Sequence, residues 1–408
     1  MGGKKPYMTA KITDKKGVTR LAVLFALTYM ISYITRINYG AIISEMEKAT
    51  GMSKSMLSMA LTGSFITYGF GQVISGILGD RFSPKKLVTI GLFATVTMNM
   101  LIPLCNSPYQ MVVVWCINGF AQSFMWPPLV RLMTLLLNPD DYKKTAAKVS
   151  YGASVGTMVM YLVSPLVITM AGWKAVFIFS ALCGLVMIFV WNKLCKDIDH
   201  TKSNVKHAKI NTKGLFTPLM LSIMAAIILQ GMLRDGVTTW MPSYISEVYD
   251  ISNLISILTG VILPIFSILC VRAVTKLYVK SITNPITCAG IFFLGGTVSA
   301  FALYFLNGSN AAFSVILSAV LTGCMHGINN MLVSMLPPFF AKYGNVSTAS
   351  GVINSCTYIG SAISTYGIAV LTENLGWNFT IGMWSVIALM GTVICFMCIN
   401  GWKKNYMQ

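Results

Sequence analysis

The chain has 408 residues, 55% of them apolar and only 10% charged, with a net charge of +18. A soluble domain carries about 25% charged residues, so this composition excludes a water-soluble fold and leaves lipid as the solvent. It excludes a nucleic-acid partner too, because the Lys and Arg residues sit in short gaps between apolar runs and form no basic stripe interleaved with aromatics. The basic stretch from Lys4 to Arg20 leads into an apolar run too long for a signal peptide and without a small-residue cleavage site. A helix of about 20 apolar residues spans a bilayer. Twelve such stretches follow in order: 20–43, 56–79, 86–105, 109–136, 146–170, 172–194, 215–245, 252–279, 283–306, 310–336, 345–371 and 376–401. Between the sixth and seventh, Lys196 to Lys213 is polar and has no apolar period. The pattern predicts an all-α membrane protein with a six-helix bundle over 1–195, a linker over 196–214 and a second six-helix bundle over 215–408.

The basic residues give the orientation. One side collects Lys4 to Arg20, Arg81, Lys85, Lys86, Arg131, Lys143, Lys144, Lys148, Lys193, the linker lysines, Arg272, Lys276, Lys280, Lys342, Lys403 and Lys404. The other side offers Lys48, Lys54 and Lys174 among Glu45, Glu47, Glu247, Asp250 and Glu373. Basic loops stay in the cytoplasm, which predicts cytoplasmic termini, a cytoplasmic linker and contact with anionic lipids at that face of the cell membrane. The halves also repeat. Gly119, Gln122, Gly156, Gly172 and Trp173 recur as Gly323, His326, Gly360, Gly376 and Trp377 at a constant offset of 204. Such an offset implies parallel repeats, as in transporters whose site lies between the halves.

Of the thirty basic residues, two fall in mid-span: Arg36 in the first helix and Arg234 in the seventh, at equivalent places in the repeats. A mid-membrane arginine costs roughly 2.5–3.5 kcal/mol on insertion scales and marks a substrate path more often than a structural pair. Arg36 has no acid within helical reach. Asp235 follows Arg234 directly, and neighbours in a helix are expected to point about 100° apart without facing each other. The two guanidinium forks, matched to phosphate or carboxylate, are expected to converge on one anion. About 8 Å apart, they would repel by roughly 2 kcal/mol at an effective dielectric of about 20, and an anion between them reverses that sign. Obligatory exchange follows from that reversal.

Tyr33, Asn38, Tyr68, Gln72, Gln122 and Ser154 could line the cavity from the first half, and His326, Asn329, Asn330, Asn354 and Tyr358 from the second. Each could equally be interhelical glue. Asp80, in the loop from Gly76 to Lys86, can cap a helix end across the bundle interface while Arg81 holds a carboxylate or carbonyl, closing the cytoplasmic side. Gly236 and Pro242 could interrupt the seventh helix. Cys395 and Cys398 form a CxxC inside the last apolar stretch without a second ligand pair, so no metal is expected. No nucleophilic triad, paired carboxylates or phosphate loop marks an enzyme, and nothing calls for a cofactor.

The loop from Gly76 to Lys86 resembles the signature of the major facilitator superfamily. More narrowly, Tyr33-x-x-Arg36, Tyr68-Gly69-Phe70, Gln122-x-x-x-Trp126-Pro127-Pro128-x-x-Arg131 and Leu233-Arg234-x-Gly236-x-x-x-Trp240-x-Pro242-x-Tyr244 resemble the organophosphate:phosphate antiporters, which include glycerol-phosphate and hexose-phosphate exchangers. The resemblance implies the twelve-helix major facilitator fold, with phosphate on Arg36 and Arg234 and the family's site tyrosines at Tyr33, Tyr68 and Tyr358. The chain departs from the pattern at Gln72 for a lysine, Ser154 for a histidine, Gly231 and His326 for tyrosines, and Asp235 after the arginine. These make the cavity less positive, and Asp235 with His326 allows proton coupling. The first expectation is a monomeric carrier exchanging a phosphate ester for phosphate. The second is a carboxylate carried with a proton, and the third a transporter-like sugar-phosphate sensor.

Overall fold

A computed structural model describes residues 11–195, 215–343 and 346–406, and its regular elements are all helical. The linker expected at 196–214 lies outside the described residues, as do Lys4 and Lys5. In order come α1 (Lys15–Ala41), α2 (Ile43–Thr50), α3 (Lys54–Arg81), α4 (Pro84–Leu101), α5 (Pro108–Gln122), α6 (Trp126–Leu136), α7 (Pro139–Ala171) and α8 (Trp173–Leu194). The second half holds α9 (Pro218–Tyr249), α10 (Asn253–Thr259), α11 (Ile262–Lys280), α12 (Pro285–Phe305), α13 (Ala311–Asn329) and α14 (Val346–Tyr406). Among the described residues, nine helices are long and apolar enough to cross a membrane. Side chains such as Ile66, Phe70, Phe93, Met170, Phe189, Phe305 and Met397 stand outward. An apolar exterior of this kind suits lipid and not water.

Starts are chemically marked. Ser83-Pro84, Ser107-Pro108, Thr217-Pro218 and Asn284-Pro285 each place a capping side chain before a proline whose missing N–H costs the first turn nothing. Three stretches break where the apolar pattern alone reads through. The span 109–136 is two helices, α5 and α6, parted by a turn at 123–125, because Pro127 and Pro128 cannot donate to the preceding turn. The span 252–279 divides into α10 and α11. After α13 the chain passes through a π turn, Asn330–Ser334, and a 3₁₀ turn, Pro337–Tyr343. Conversely, α9 runs through Gly236 and Pro242 without interruption.

The glycines 204 residues apart make matching contacts. Gly156 of α7 meets the backbone of Met30 on α1, and Gly360 of α14 meets that of Ile228 on α9. Gly172 (φ 76°, ψ 173°) separates α7 from α8, and Gly376 (φ 74°, ψ 174°) turns α14 at the same place in the repeat. A side chain at Gly360 would collide with the Ile228 carbonyl and the Met232 amide, whereas Gly367 on the same helix has open space. Gly360→Ala is expected to lose about 1–3 kcal/mol to overpacking, with a lower melting temperature in detergent, while Gly367→Ala melts like the parent. Equal melting of both variants would contradict the close packing.

Candidate functional site

Arg36 lies near the C-terminal end of α1 and is only 7% exposed. Its guanidinium carbon sits 4.3 Å from the ring centre of Tyr33, one turn earlier, 4.9 Å from that of Tyr68 on α3 and 5.6 Å from that of Tyr358 on α14. Nη1 donates to Tyr358 Oη over 3.1 Å. Nε is buried with no hydrogen-bond partner. No described carboxylate lies within ion-pair distance of it. Three ring faces recover part of its desolvation, each worth up to about 2 kcal/mol. They do not cancel its charge.

Arg234, in the middle of α9, is also buried, but it has a counter-ion. Its Nε and Nη2 donate to the two carboxylate oxygens of Asp235, each over 2.7 Å, and Nη1 donates to Asn329 Oδ1 over 3.0 Å. Ser361 of α14 donates in turn to Asp235 Oδ2. This corrects the expectation that adjacent helical residues cannot pair. The rule describes Cβ directions, and the flexible arginine stem folds its fork back onto its neighbour. The Tyr358 ring stands between the two cations, 5.4 Å from Arg234 and 5.6 Å from Arg36, so the guanidinium carbons are no more than about 11 Å apart. Bare repulsion at that distance would be at least about 1.5 kcal/mol at an effective dielectric of about 20. Asp235 removes most of it, and the symmetric pair of free cations expected from the sequence is in fact one free and one neutralised.

Of the other candidate residues, Tyr33, Tyr68 and Tyr358 join the arginines. His326, partly exposed, is one turn before Asn329 on α13 and close enough to Arg234 and Asp235 to feel their charges. Gln72 and Ser154 do not join the cluster. Gln72 donates to the Ser123 carbonyl over 3.2 Å and accepts from Asn354 over 2.9 Å at the contact of α3 with α14. Ser154 bonds back to the Ser150 carbonyl of its own helix. Asn38 is used on Asn99 and Ser180, and Gln122 on Ser32 and Thr35, all within the first half. Beyond Arg36, toward the C-terminal ends of α1 and α9, a cavity of about 50 Å³ is lined by Ile37, Tyr161, Thr238 and Pro242. It has room for a few water molecules, not for an organic anion, so entry requires the helices around it to separate.

At the opposite end of this contact, Asp80 caps the start of α14. It accepts from the Ser347 and Thr348 amides over 3.2 and 2.8 Å and from Thr348 Oγ1 over 2.8 Å. The guanidinium on Asp80 belongs to Arg131, at 2.7 Å, and not to Arg81, which is exposed. Arg131 is itself buried within α6 and is therefore a third interior arginine, one that its string of neighbouring prolines and apolar residues could have signalled. Ser361 and Thr348 carry no comparable signal in the sequence. Tyr142 of α7 adds a bond to the Ser334 carbonyl over 2.7 Å.

The model of the Major Facilitator Superfamily matches residues 25–365. The chain is 24% identical to the glycerol-3-phosphate transporter of Bacillus subtilis, covering 85% of this chain and 84% of that one. It is 22% identical to a probable hexose phosphate transport protein of Chlamydia trachomatis, covering 93% and 90%. It is 23% identical to the membrane sensor protein UhpC of Salmonella typhimurium, covering 97% and 96%. These relatives agree with the resemblance to organophosphate:phosphate antiporters.

Both ends of the Gln72 amide are bonded within the protein, to the Ser123 carbonyl and to Asn354, which predicts a contribution to stability. Gln72→Leu leaves the Asn354 amide buried without an acceptor and is expected to cost about 1–3 kcal/mol, measured as a lower melting temperature. Gln72→Leu/Asn354→Leu should recover most of that loss. Wild-type melting of the single variant would contradict the assignment.

Proposed function

The chain belongs to the Major Facilitator Superfamily, as a multi-pass membrane transporter and not an enzyme, and we propose that it carries a small organic anion by alternating access. The observation that carries this reading is Arg36, buried among three tyrosines with no carboxylate to balance it. Its charge has to be met by something that comes and goes. Arg234 reaches the same Tyr358 ring from α9 and keeps two N–H groups beyond those bound to Asp235 and Asn329, out of the five a guanidinium carries. The anion is held between the two arginines. A phosphate ester exchanged for inorganic phosphate is the first choice, supported by the similarity to glycerol-3-phosphate and hexose phosphate transporters.

In this reading the helices form twelve spans in two bundles, 1–195 and 215–408, joined by the linker 196–214 and with both termini in the cytoplasm. The protein works as a monomer, with its basic loops against anionic lipid. The Asp80 cap on α14, held by Arg131, closes the cytoplasmic side. Anion binding draws the halves together over Arg36, and release of the cap opens the other side. A second reading, a carboxylate carried with a proton, is favoured by one observation: Asp235 places an acid on Arg234, with His326 nearby. The similarity to a membrane sensor supports a third, a receptor for a phosphate ester that binds without turnover.

Flux in proteoliposomes separates these readings. Phosphate-loaded vesicles should exchange for external phosphate ester without acidification, whereas proton-linked uptake would favour the second reading and binding without flux the third. Arg36→Lys and Arg234→Lys should each abolish transport while still inserting in the membrane, because an ammonium cannot reproduce the fork. Wild-type uptake by either variant would refute the site. Asp80→Asn should weaken the cytoplasmic seal, measured as faster labelling of a cysteine put in place of the buried Ser347, a near-isosteric change that keeps its backbone amide, by a membrane-impermeant thiol reagent added from that side. Unchanged labelling would argue against the lock.

A further inference from the structure

The charge inventory around the site has a consequence for the cargo, and it rests on the anion-site reading above. The groups around Asp235 are Arg234, Ser361 and Tyr358 of α14, Arg36 and Tyr33 of α1, and His326 of α13, while Asn329 bonds Arg234 from its other side. The fixed charges among them are two guanidinium groups and one carboxylate. The tyrosines are neutral, and at pH 8 an imidazole with an ordinary pKa of about 6.5 is neutral as well. Gln72 and Ser154, which could have stood near the cluster, bring no charge and point elsewhere. The empty site therefore carries one net positive charge.

We propose that Asp235 sets the valence of the cargo, so that the site takes oxyanions bearing one negative charge and discriminates against the same shapes bearing two. The carboxylate cannot step aside for a second substrate charge. It receives both parallel N–H groups on one edge of Arg234 and the Ser361 hydroxyl, and displacing it would strand a carboxylate where no other described cation is within ion-pair distance. A singly charged oxyanion at Arg36 brings the cluster to neutrality. A doubly charged one leaves an unbalanced negative charge beside the buried Arg36 and Arg234, a costly state at low dielectric. For a phosphate ester, the form bound is then the one protonated on the phosphoryl group, and phosphonate half-acids and carboxylates share its charge.

Two isosteric probes isolate charge from shape. Methyl sulfate carries one negative charge at every working pH, and methyl phosphate, with a second pKa of about 6, carries two at pH 8. Binding of each to the purified full chain in detergent is measured by calorimetry at pH 8. The wild type is expected to bind methyl sulfate more tightly, by about tenfold, and Asp235→Asn to reverse the order. Equal or tighter binding of methyl phosphate by the wild type overturns the proposal, as does an unchanged order in Asp235→Asn. Should that variant fail to fold, the wild-type order decides alone. Failure of methyl sulfate, methyl phosphate and inorganic phosphate alike to bind the wild type overturns the anion site itself, and the valence rule with it.

Discussion

A guanidinium buried in a membrane protein without a carboxylate partner constrains everything built around it. Arg36 has to be desolvated at mid-span, at roughly 2.5–3.5 kcal/mol on insertion scales, and its immediate surroundings answer with aromatic faces in place of a counter-charge. Tyr33 comes from its own helix, Tyr68 from α3 and Tyr358 from α14. Those rings fix how closely α3 and α14 approach α1. Arg234 solves the same problem from within the chain, through Asp235. The contrast between the two leaves Arg234 with a counter-ion from its own helix and Arg36 with none among the described residues.

The contact that encloses Arg36 is also the one that reaches the Asp80 cap. Tyr358 and Thr348 belong to the same helix, and ten helical residues separate them by about 15 Å. Between them α14 lies against α3 through close backbone approaches at Gly69, Gly76 and Gly351 and through the Asn354–Gln72 bond. Residues without side chains allow that approach and leave little slack in it. A displacement of α14 at Tyr358 is therefore felt at Asp80 through a rigid element, with no need of a longer chain of contacts.

Much of this was legible in the sequence, for physical reasons that differ by residue. Apolar length marked the long helices, nine of which among the described residues could cross a membrane, because lipid imposes that length. Arg36 and Arg234 stood out because mid-span charge is rare, and the paired glycines because close helix contacts tolerate no Cβ. What stayed hidden depends on side-chain reach and on backbone donors. Asp235 was expected to face away from Arg234, yet a long arginine can fold over one residue of separation. Arg131 looked like a surface anchor from its place among the basic residues of one side, and only the packing of α6 against Asp80 reveals it as a buried partner. Arg81, expected to hold a carboxylate or carbonyl, is exposed. Gln72 and Ser154 were assigned to the cavity by their positions in the pattern, but a polar side chain in a membrane helix bonds whatever is nearest, here Asn354, the Ser123 carbonyl and the Ser150 carbonyl. The breaks between α5 and α6 and between α10 and α11 leave hydropathy unchanged and so left no mark on it.

The central claim is that Arg36 finds its counter-charge in a bound oxyanion, and the most direct measurement is to locate one. Arsenate, a tetrahedral oxyanion with a strong anomalous signal, can be placed by anomalous diffraction from crystals of the full chain grown in its presence. The account predicts an arsenic peak within hydrogen-bond reach of the Arg36 guanidinium, beside the Tyr358 ring. Arsenic elsewhere with Arg36 bare, or Arg36 turned to lipid or tied to a protein carboxylate, would contradict it.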